Sequence, residues 1–551
     1  GEYLERYFRT FPSAATAAGR YDFDHELENL GPEQRRAWVQ FNHEVVDRVS
    51  DALSESAVPV ETRLDLELVL AQARRQVFDY EALDRPGRNP LYWTGILGNA
   101  TVFLLVRDDR PRVERLELAA RRVALIPRLA QQAQEALSAS DPAGVSAEIA
   151  AMAAGQARST ARFYREGFPQ AGSGLGEPLQ GRLSETGERA ADALTELAGF
   201  LTDLEGKATG SPLLGGLYAE SFRLNTRMEQ RPEEVLKAAE QALAAKVQET
   251  AEYGRSIWAA IFSPSVAIPA EDAQVIRRLF ARVSDDRAQN TDEFVADYRH
   301  LVDESVAFVR RHDVITLPEP LTLFLDRSPS YFIGQSVGGV YPAGPYAPTD
   351  AKTLRFLPSP PDTATDEQRD AFFRDFNHHF NVMITPHELI PGHYLQLKYA
   401  AQHPHKVRAM FGDGVYIEGW GTFCERLMLD LGWGGPLDRM AHLKKQLENI
   451  ARTIVDNRVH TQEMSRQEVL RFVQDEAFQD QQFAANMWRR AITSSPQLTT
   501  YFLGYQQVWG LYEDARRRRG QDFELKEFMD GMMELGPVAV EHYRRAMLSG
   551  S

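Results

Sequence analysis

The stretch Thr385-Pro386-His387-Glu388-Leu389-Ile390-Pro391-Gly392-His393-Tyr394 sets two imidazoles around a carboxylate. Imidazole nitrogens ligate transition metals, and a carboxylate next to one can move a proton on a metal-activated water. In the familiar H-E-x-x-H arrangement, i, i+4 spacing puts both rings on one helix face. Here the second histidine comes at i+6, which on a regular helix turns it about 120° off that face. Pro391 lacks an N–H and Gly392 tolerates unusual dihedrals, so a bulge or kink could absorb the two extra residues. A zinc site needs a third protein ligand and an open position for water. In Tyr416-Ile417-Glu418-Gly419-Trp420-Gly421-Thr422-Phe423-Cys424-Glu425, Glu418 stands 25 residues after His393. That spacing suits a second helix packed on the first and offering a carboxylate ligand. Glu425, two turns along the same face, could partner a ligand histidine. Both carboxylates could instead lie on an exposed face. Their apolar neighbours Ile417, Trp420, Phe423 and Leu427 favour burial, where a carboxylate needs a partner. His378, His379, His403, His405 and His442 are read as ordinary histidines without a ligand role.

The elements that must position these groups are mostly helical. Apolar residues recur at helical spacing over 64–83, 113–137, 142–157, 187–204, 232–260 and 292–311. Pro232 suits a first helical turn and Asp292 an N-cap. Residues 172–176 and 206–216 read as loops. The texture changes near Leu317. From there to Pro361 the chain is rich in Pro, Gly, Ser and Tyr, with two strand-like runs, Ser330-Tyr331-Phe332-Ile333 and Thr353-Leu354-Arg355-Phe356-Leu357. The glycine-rich piece between them matches no phosphate loop. Helical texture resumes at about Thr365. Arg516 to Arg519 reads as a solvated helix face ending at Gly520.

Composition narrows the function. The chain has 551 residues, 43% hydrophobic and 25% charged, with a formal net charge of −16. That is a globular composition with ample chain for a core. An acidic chain lacks the basic footprint of a nucleic-acid binder and is poorly suited to an anionic membrane. No apolar run approaches the roughly 18 residues of a membrane-spanning helix. The single cysteine, Cys424, permits neither an internal disulfide nor a cysteine metal site. Any zinc must therefore be held by His and Glu, the ligand set of a catalytic site rather than a structural one. The N-terminal residues do not read as a signal peptide, and they lack an initiating Met. Cytoplasmic residence and export with a removed leader are both compatible with that.

His-Glu-x-x-Pro-Gly-His followed by Tyr-x-Glu-Gly-Trp resembles the bacterial DUF885 family, itself grouped by resemblance with gluzincin-type zinc metallopeptidases. Ala451 to His460 is similar to the family's Arg-Leu-Val-Val-Asp-x-Gly-x-His block, with Arg458 where Gly is usual. Pro496 to Gly504 is similar to its Gln-x-x-Ser-Tyr-x-x-Gly block. Phe523, Leu525, Phe528 and Gly536-Pro537 match its C-terminal end, and Asn89-Pro90-Leu91-Tyr92 its N-terminal layout. The resemblance implies that His387, His393 and Glu418 hold Zn²⁺ and that Glu388 is the general base for hydrolysis of a peptide or related amide. His460, Tyr501 and Tyr505 are candidate oxyanion donors. Asp456 could orient His460, and Arg452 could bind Asp456 or a substrate carboxylate, an ion pair being favoured. In related zincins an edge strand lines the cleft and pairs with extended peptide. Tyr341 and Tyr346 could then face substrate. The expected fold is mainly α, a large helical zincin-like body with a deep cleft and a small sheet at its rim. Region 1–316 would wall the cleft and region 317–551 carry the chemistry, in one continuous fold. The alternative is a metal-free or inactive helical binding protein descended from a peptidase.

Overall fold

The computed structural model describes residues 1–55, 58–329, 331–332, 339–360 and 364–548. Helices dominate them, with one three-stranded sheet, so the fold is mainly α. None of these helices is long and apolar enough to cross a membrane. The chain forms two compact units. The first gathers Gly1–Pro212, Pro320–Pro358 and Ala400–Phe411; the second gathers Leu213–Glu319, Ser359–Tyr399 and Gly412–Ser551. Residues 213–319, read above as part of the N-terminal region, thus belong to the same unit as His387 and His393.

In the first unit the Ala147–Arg162 helix packs on the Glu177–Glu205 helix. Ala150, Ala153, Ala154 and Ala157 face Ala190, Ala191, Leu194 and Ala198 in one buried cluster. Small side chains let two long helices approach closely with little entropy lost per residue. The sheet is here too: β1 (Leu323–Arg327), β2 (Gly339–Tyr341) and β3 (Thr353–Leu357). β3 is central, parallel to β1 and antiparallel to β2. β1 is a strand the sequence pattern did not announce. Of the other expected strand, Ser330 and Ile333 lie outside the described residues. Tyr331 and Phe332 are not in a strand, and the Phe332 ring stacks on Phe163 at 5.4 Å. The two tyrosines expected to face substrate are spent on packing within this unit. Tyr341 meets Phe103 and Phe356 edge-on, and Tyr346 meets Phe8 and the Arg20 guanidinium.

The second unit carries the candidate site on seven helices: α1 (Pro232–Ile261), α2 (His378–Glu388), α3 (His393–Gln402, whose last turn belongs to the first unit), α4 (Gly414–Asp430), α5 (Pro436–Gln462), α6 (Gln481–Ser494) and α7 (Thr500–Arg519). α5 is the axis. It is buried almost all round, with α1, α2, α4, α6 and α7 packed against it. Yet its buried residues include Asp438, His442, Lys445, Glu448, Arg452, Asp456 and His460. Such a helix is stable only if its charges find partners inside.

α4 and α7 cross where Gly419 meets Gly504. A Cβ on Gly504 would stand 2.0 Å from the Val415 carbonyl oxygen and 2.7 Å from Gly419 Cα. Only hydrogen fits there, because backbone cannot move aside as a side chain can. Gly504→Val is therefore expected to lower stability by about 3 kcal/mol or more. By contrast Gly199, exposed in the Glu177–Glu205 helix, would bring a Cβ near no other atom. Gly199→Ala is expected to raise stability by about 1 kcal/mol. Urea midpoints measure both.

Candidate metal centre

The i+6 spacing is accommodated by a complete break between helices rather than a bulge within one. Asn377 caps α2 through its side chain, which accepts from Phe380 N–H. α2 runs to Glu388, and Leu389 leaves helical geometry at φ −123°, ψ −88°. α3 begins at His393. His387 thus hangs from a last turn and His393 from a first turn. The return is tight at Gly392, where a Cβ would lie 1.9 Å from the His387 carbonyl oxygen. The indole N–H of Trp420 donates to Pro391 O at 2.9 Å and pins the connection to α4.

Three atoms able to ligate a metal converge in that return. Glu418 Oε2 lies 3.7 Å from His387 Nε2 and 3.6 Å from His393 Nε2. The rings stand 83° apart, and one donor atom from each of the three residues falls within 4.8 Å of the others. Ligands about 2.1 Å from a shared tetrahedral ion sit about 3.4 Å from each other, so the set fits one zinc. Gly421 leaves room for the His387 ring, since a Cβ there would meet it at 2.8 Å. Behind the ring, Glu425 Oε1 is 2.7 Å from His387 Nδ1, and Oε2 is 3.1 Å from His442 Nδ1. Glu425 therefore fixes His387 with Nδ1–H toward itself and Nε2 toward Glu418 and His393. Glu388, half-buried at the end of α2, is close enough for its charge to raise the His387 pKa.

Burial pushes the His387 pKa down, but Glu418 and Glu425 overcome this and hold it at about 9. Burial pushes Glu418 up, and the two histidines pull it well below the usual carboxylate range. Glu425 is likewise held at about 2 against its burial by His387 and His442.

Beyond the ligands, Gln497 Nε2 donates to Glu418 Oε1 at 3.3 Å and to the Tyr501 hydroxyl at 3.2 Å. Arg490 Nη2 donates to that hydroxyl at 3.2 Å and to Gln497 Oε1. Tyr501 is thus tied to the cluster. Four other expected roles are not found. Tyr505 accepts from Arg426 at 2.7 Å and stacks on Trp509, with no hydrogen bond among the described residues to Glu418, Gln497 or Tyr501. His460 takes the Leu214 N–H on Nδ1 and donates from Nε2 to Ala491 O, both at 3.0 Å, so neither nitrogen is left for an oxyanion. Burial lowers its pKa to about 4. Asp456 does not orient it: that carboxylate accepts from Tyr218 at 2.8 Å and Ser495 at 3.2 Å. Burial, only partly offset by these bonds, raises Asp456 to about 7. Arg452 pairs with Glu448 at 2.5 Å, not with Asp456, and lies 4.5 Å over the Tyr501 ring. Arg458 continues α5 and pairs with Glu240 at 2.7 Å, leaving the local turn helical. His442, Gln497, Arg490 and Glu448 were not found from the sequence. Only Gln497 had a signal, its place in the block ending at Gly504.

The profile of DUF885, bacterial proteins of unknown function, matches residues 12–547. A candidate lipoprotein of unknown function from Shewanella oneidensis shares the fold at 23% identity and a TM-score of 0.79, over 99% of this chain and 98% of its own. A candidate lipoprotein from Colwellia psychrerythraea does so at 15% identity and 0.78, over 99% and 97%. No curated protein matches.

Two outcomes are expected. Glu425→Gln should weaken zinc binding about 10- to 100-fold in chelator competition, because the ligand ring loses its anionic support. Zinc uptake should also follow pH. The folded pKa of His387, about 9, lies above its ordinary 6.5. Its ion pairs therefore stabilise the metal-free fold fully below about pH 6.5 and are lost as pH rises through 9. Zinc would have to expel that proton to bind. Affinity should climb with pH up to about 9, and calorimetry at pH 7 in buffers of different ionisation enthalpy should detect about one proton released.

Proposed function

Because this chain belongs to the DUF885 family of bacterial proteins and brings His387, His393 and Glu418 together, we propose that it is a zinc-dependent hydrolase of peptide or related amide bonds, akin to the gluzincin-type metallopeptidases. The observation that carries the proposal is the convergence of two Nε2 atoms and one carboxylate oxygen, with Glu388 next to a ligand. Zinc, when bound, supplies Lewis acidity toward a scissile carbonyl and acidifies water at neutral pH.

The chain's own groups supply the rest. Glu388 accepts a proton from the attacking water at its carboxylate and returns it to the departing nitrogen. Glu425 accepts from His387 Nδ1–H and so fixes the neutral tautomer that leaves Nε2 free. The Tyr501 oxygen accepts from Arg490 and Gln497, which leaves its own O–H free to donate. That hydroxyl suits an oxyanion forming at the substrate carbonyl.

Glu388→Gln is the direct test. The variant should keep one zinc per chain by metal analysis and cleave a peptide library about 1000-fold more slowly than the parent. Unchanged cleavage would refute the base assignment. A parent protein that takes up no zinc would refute the hydrolase and leave the metal-free binding protein.

A further inference from the structure

The charged side chains around the cluster are nearly all matched inside the unit. Glu448 answers Arg452 and Lys445, Glu425 answers His387 and His442, and Arg426 reaches Asp430 at 3.4 Å. Arg490 differs. It projects from α6, half-buried, and its hydrogen bonds go to two neutral groups, Gln497 Oε1 and the Tyr501 hydroxyl. Among the described residues no carboxylate lies within ion-pairing distance of it. Both bonds use the one nitrogen, Nη2, so Nε and Nη1 keep their donors unspent. The Arg490 charge reaches Glu448 and Asp456 from beyond contact and lies over the Tyr501 ring at 5.6 Å, but without a direct ion pair these offset the cost of half-burying a guanidinium only in part. Its position makes that cost useful. Gln497, which accepts from Arg490, also donates to the ligand Glu418, and Tyr501 lies between the same two groups. The unpaired cation is therefore one bridging amide away from the candidate zinc ligand, on the side where the oxyanion donor stands.

We propose that Arg490 is the receptor for a substrate carboxylate, and that the protein acts on acyl-amino acids or peptides with a free carboxylate next to the scissile bond. This rests on the hydrolase reading for the word substrate, but the binding claim stands apart from turnover. Nε–H and Nη1–H lie on different edges of the planar guanidinium, and each can donate one charge-assisted bond to a carboxylate oxygen. Gln497 and Tyr501 hold the group by Nη2, so Nε and Nη1 are presented without loss of side-chain freedom on binding. Arg452 does not compete for the anion, because Glu448 holds it.

The test uses a panel of twenty N-acetyl-glycyl dipeptides, each as the free acid and as the C-terminal amide. Binding is measured by calorimetry on the zinc-loaded Glu388→Gln protein, with and without Arg490→Gln. The best acids should bind about 100-fold more tightly than their amides. Arg490→Gln should shrink the gap to about threefold or less, with zinc content and thermal unfolding unchanged, and Arg490→Lys should restore part of it. Acids and amides binding alike, neither binding, or a gap that survives Arg490→Gln would each overturn the proposal. Cleavage of the same panel by the parent protein separates the two readings. Acid-selective binding without cleavage leaves the carboxylate receptor standing and removes the hydrolase. Equal cleavage of acids and amides does the reverse.

Discussion

A carboxylate with no access to solvent organises the second unit. Glu425 divides its two oxygens between His387 and His442, at 2.7 and 3.1 Å. A buried carboxylate without partners would take up a proton; with two imidazoles it stays ionised down to about pH 2. Much follows from that. The ring of His387 cannot rotate, because its Nδ1 is engaged. Gly421 must be glycine-sized, because the ring lies against it. α2, α4 and α5 must each supply a residue to the contact, which draws three helices to one point. Truncating Glu425 would leave two buried imidazoles competing for too few acceptors, the costly direction of change for a buried pair.

The same demand runs along α5. His442, Lys445, Glu448 and Arg452 succeed one another at helical spacing and alternate in partnership with α4, α7 and each other. A nonpolar helix of the same volume would hold the unit together at least as well. The polar one fixes which rotamer each neighbour adopts, and a site that must place two imidazoles and a carboxylate around one point needs that.

The sequence showed part of this. The helical character, the Thr353–Leu357 strand and the long helices near 232 and 292 follow from periodicity and composition, since those signals are local. Their boundaries shifted where a cap decided them: Asn290, not Asp292, accepts the N–H of Glu293 and opens the Thr291–Arg311 helix. The run read as one helix over 113–137 is two: the first ends at Val123, and a second begins at Ile126 with Pro127 in its first turn. That His387, His393 and Glu418 converge was legible, because a metal-ligand pattern restricts residue type and spacing together. Asp456 and His460 misled for the opposite reason. The i, i+4 rule says that two side chains can meet, but Tyr218 and Leu214, distant in the chain, claimed them first. His442 and Arg490 carried no local signal, since their meaning lies in what another helix brings to them.

The short segment Ala400–Phe411 has a consequence for the order in which the protein is made. It belongs to the first unit, and its Arg408, fully enclosed, bonds to Asp65 and Glu61. Phe411 lies edge-on to Tyr3 and Tyr7 at the start of the chain. As the ribosome releases the chain from the N-terminus, the first unit lacks its cation and its closing aromatic until residue 411 has emerged. By then the helix pair holding His387 and His393 is already synthesised. The two units therefore cannot mature one after the other as beads on a thread. Until then the nascent first unit must expose the apolar bed that Phe411 later covers, a period of vulnerability to aggregation written into the chain's topology.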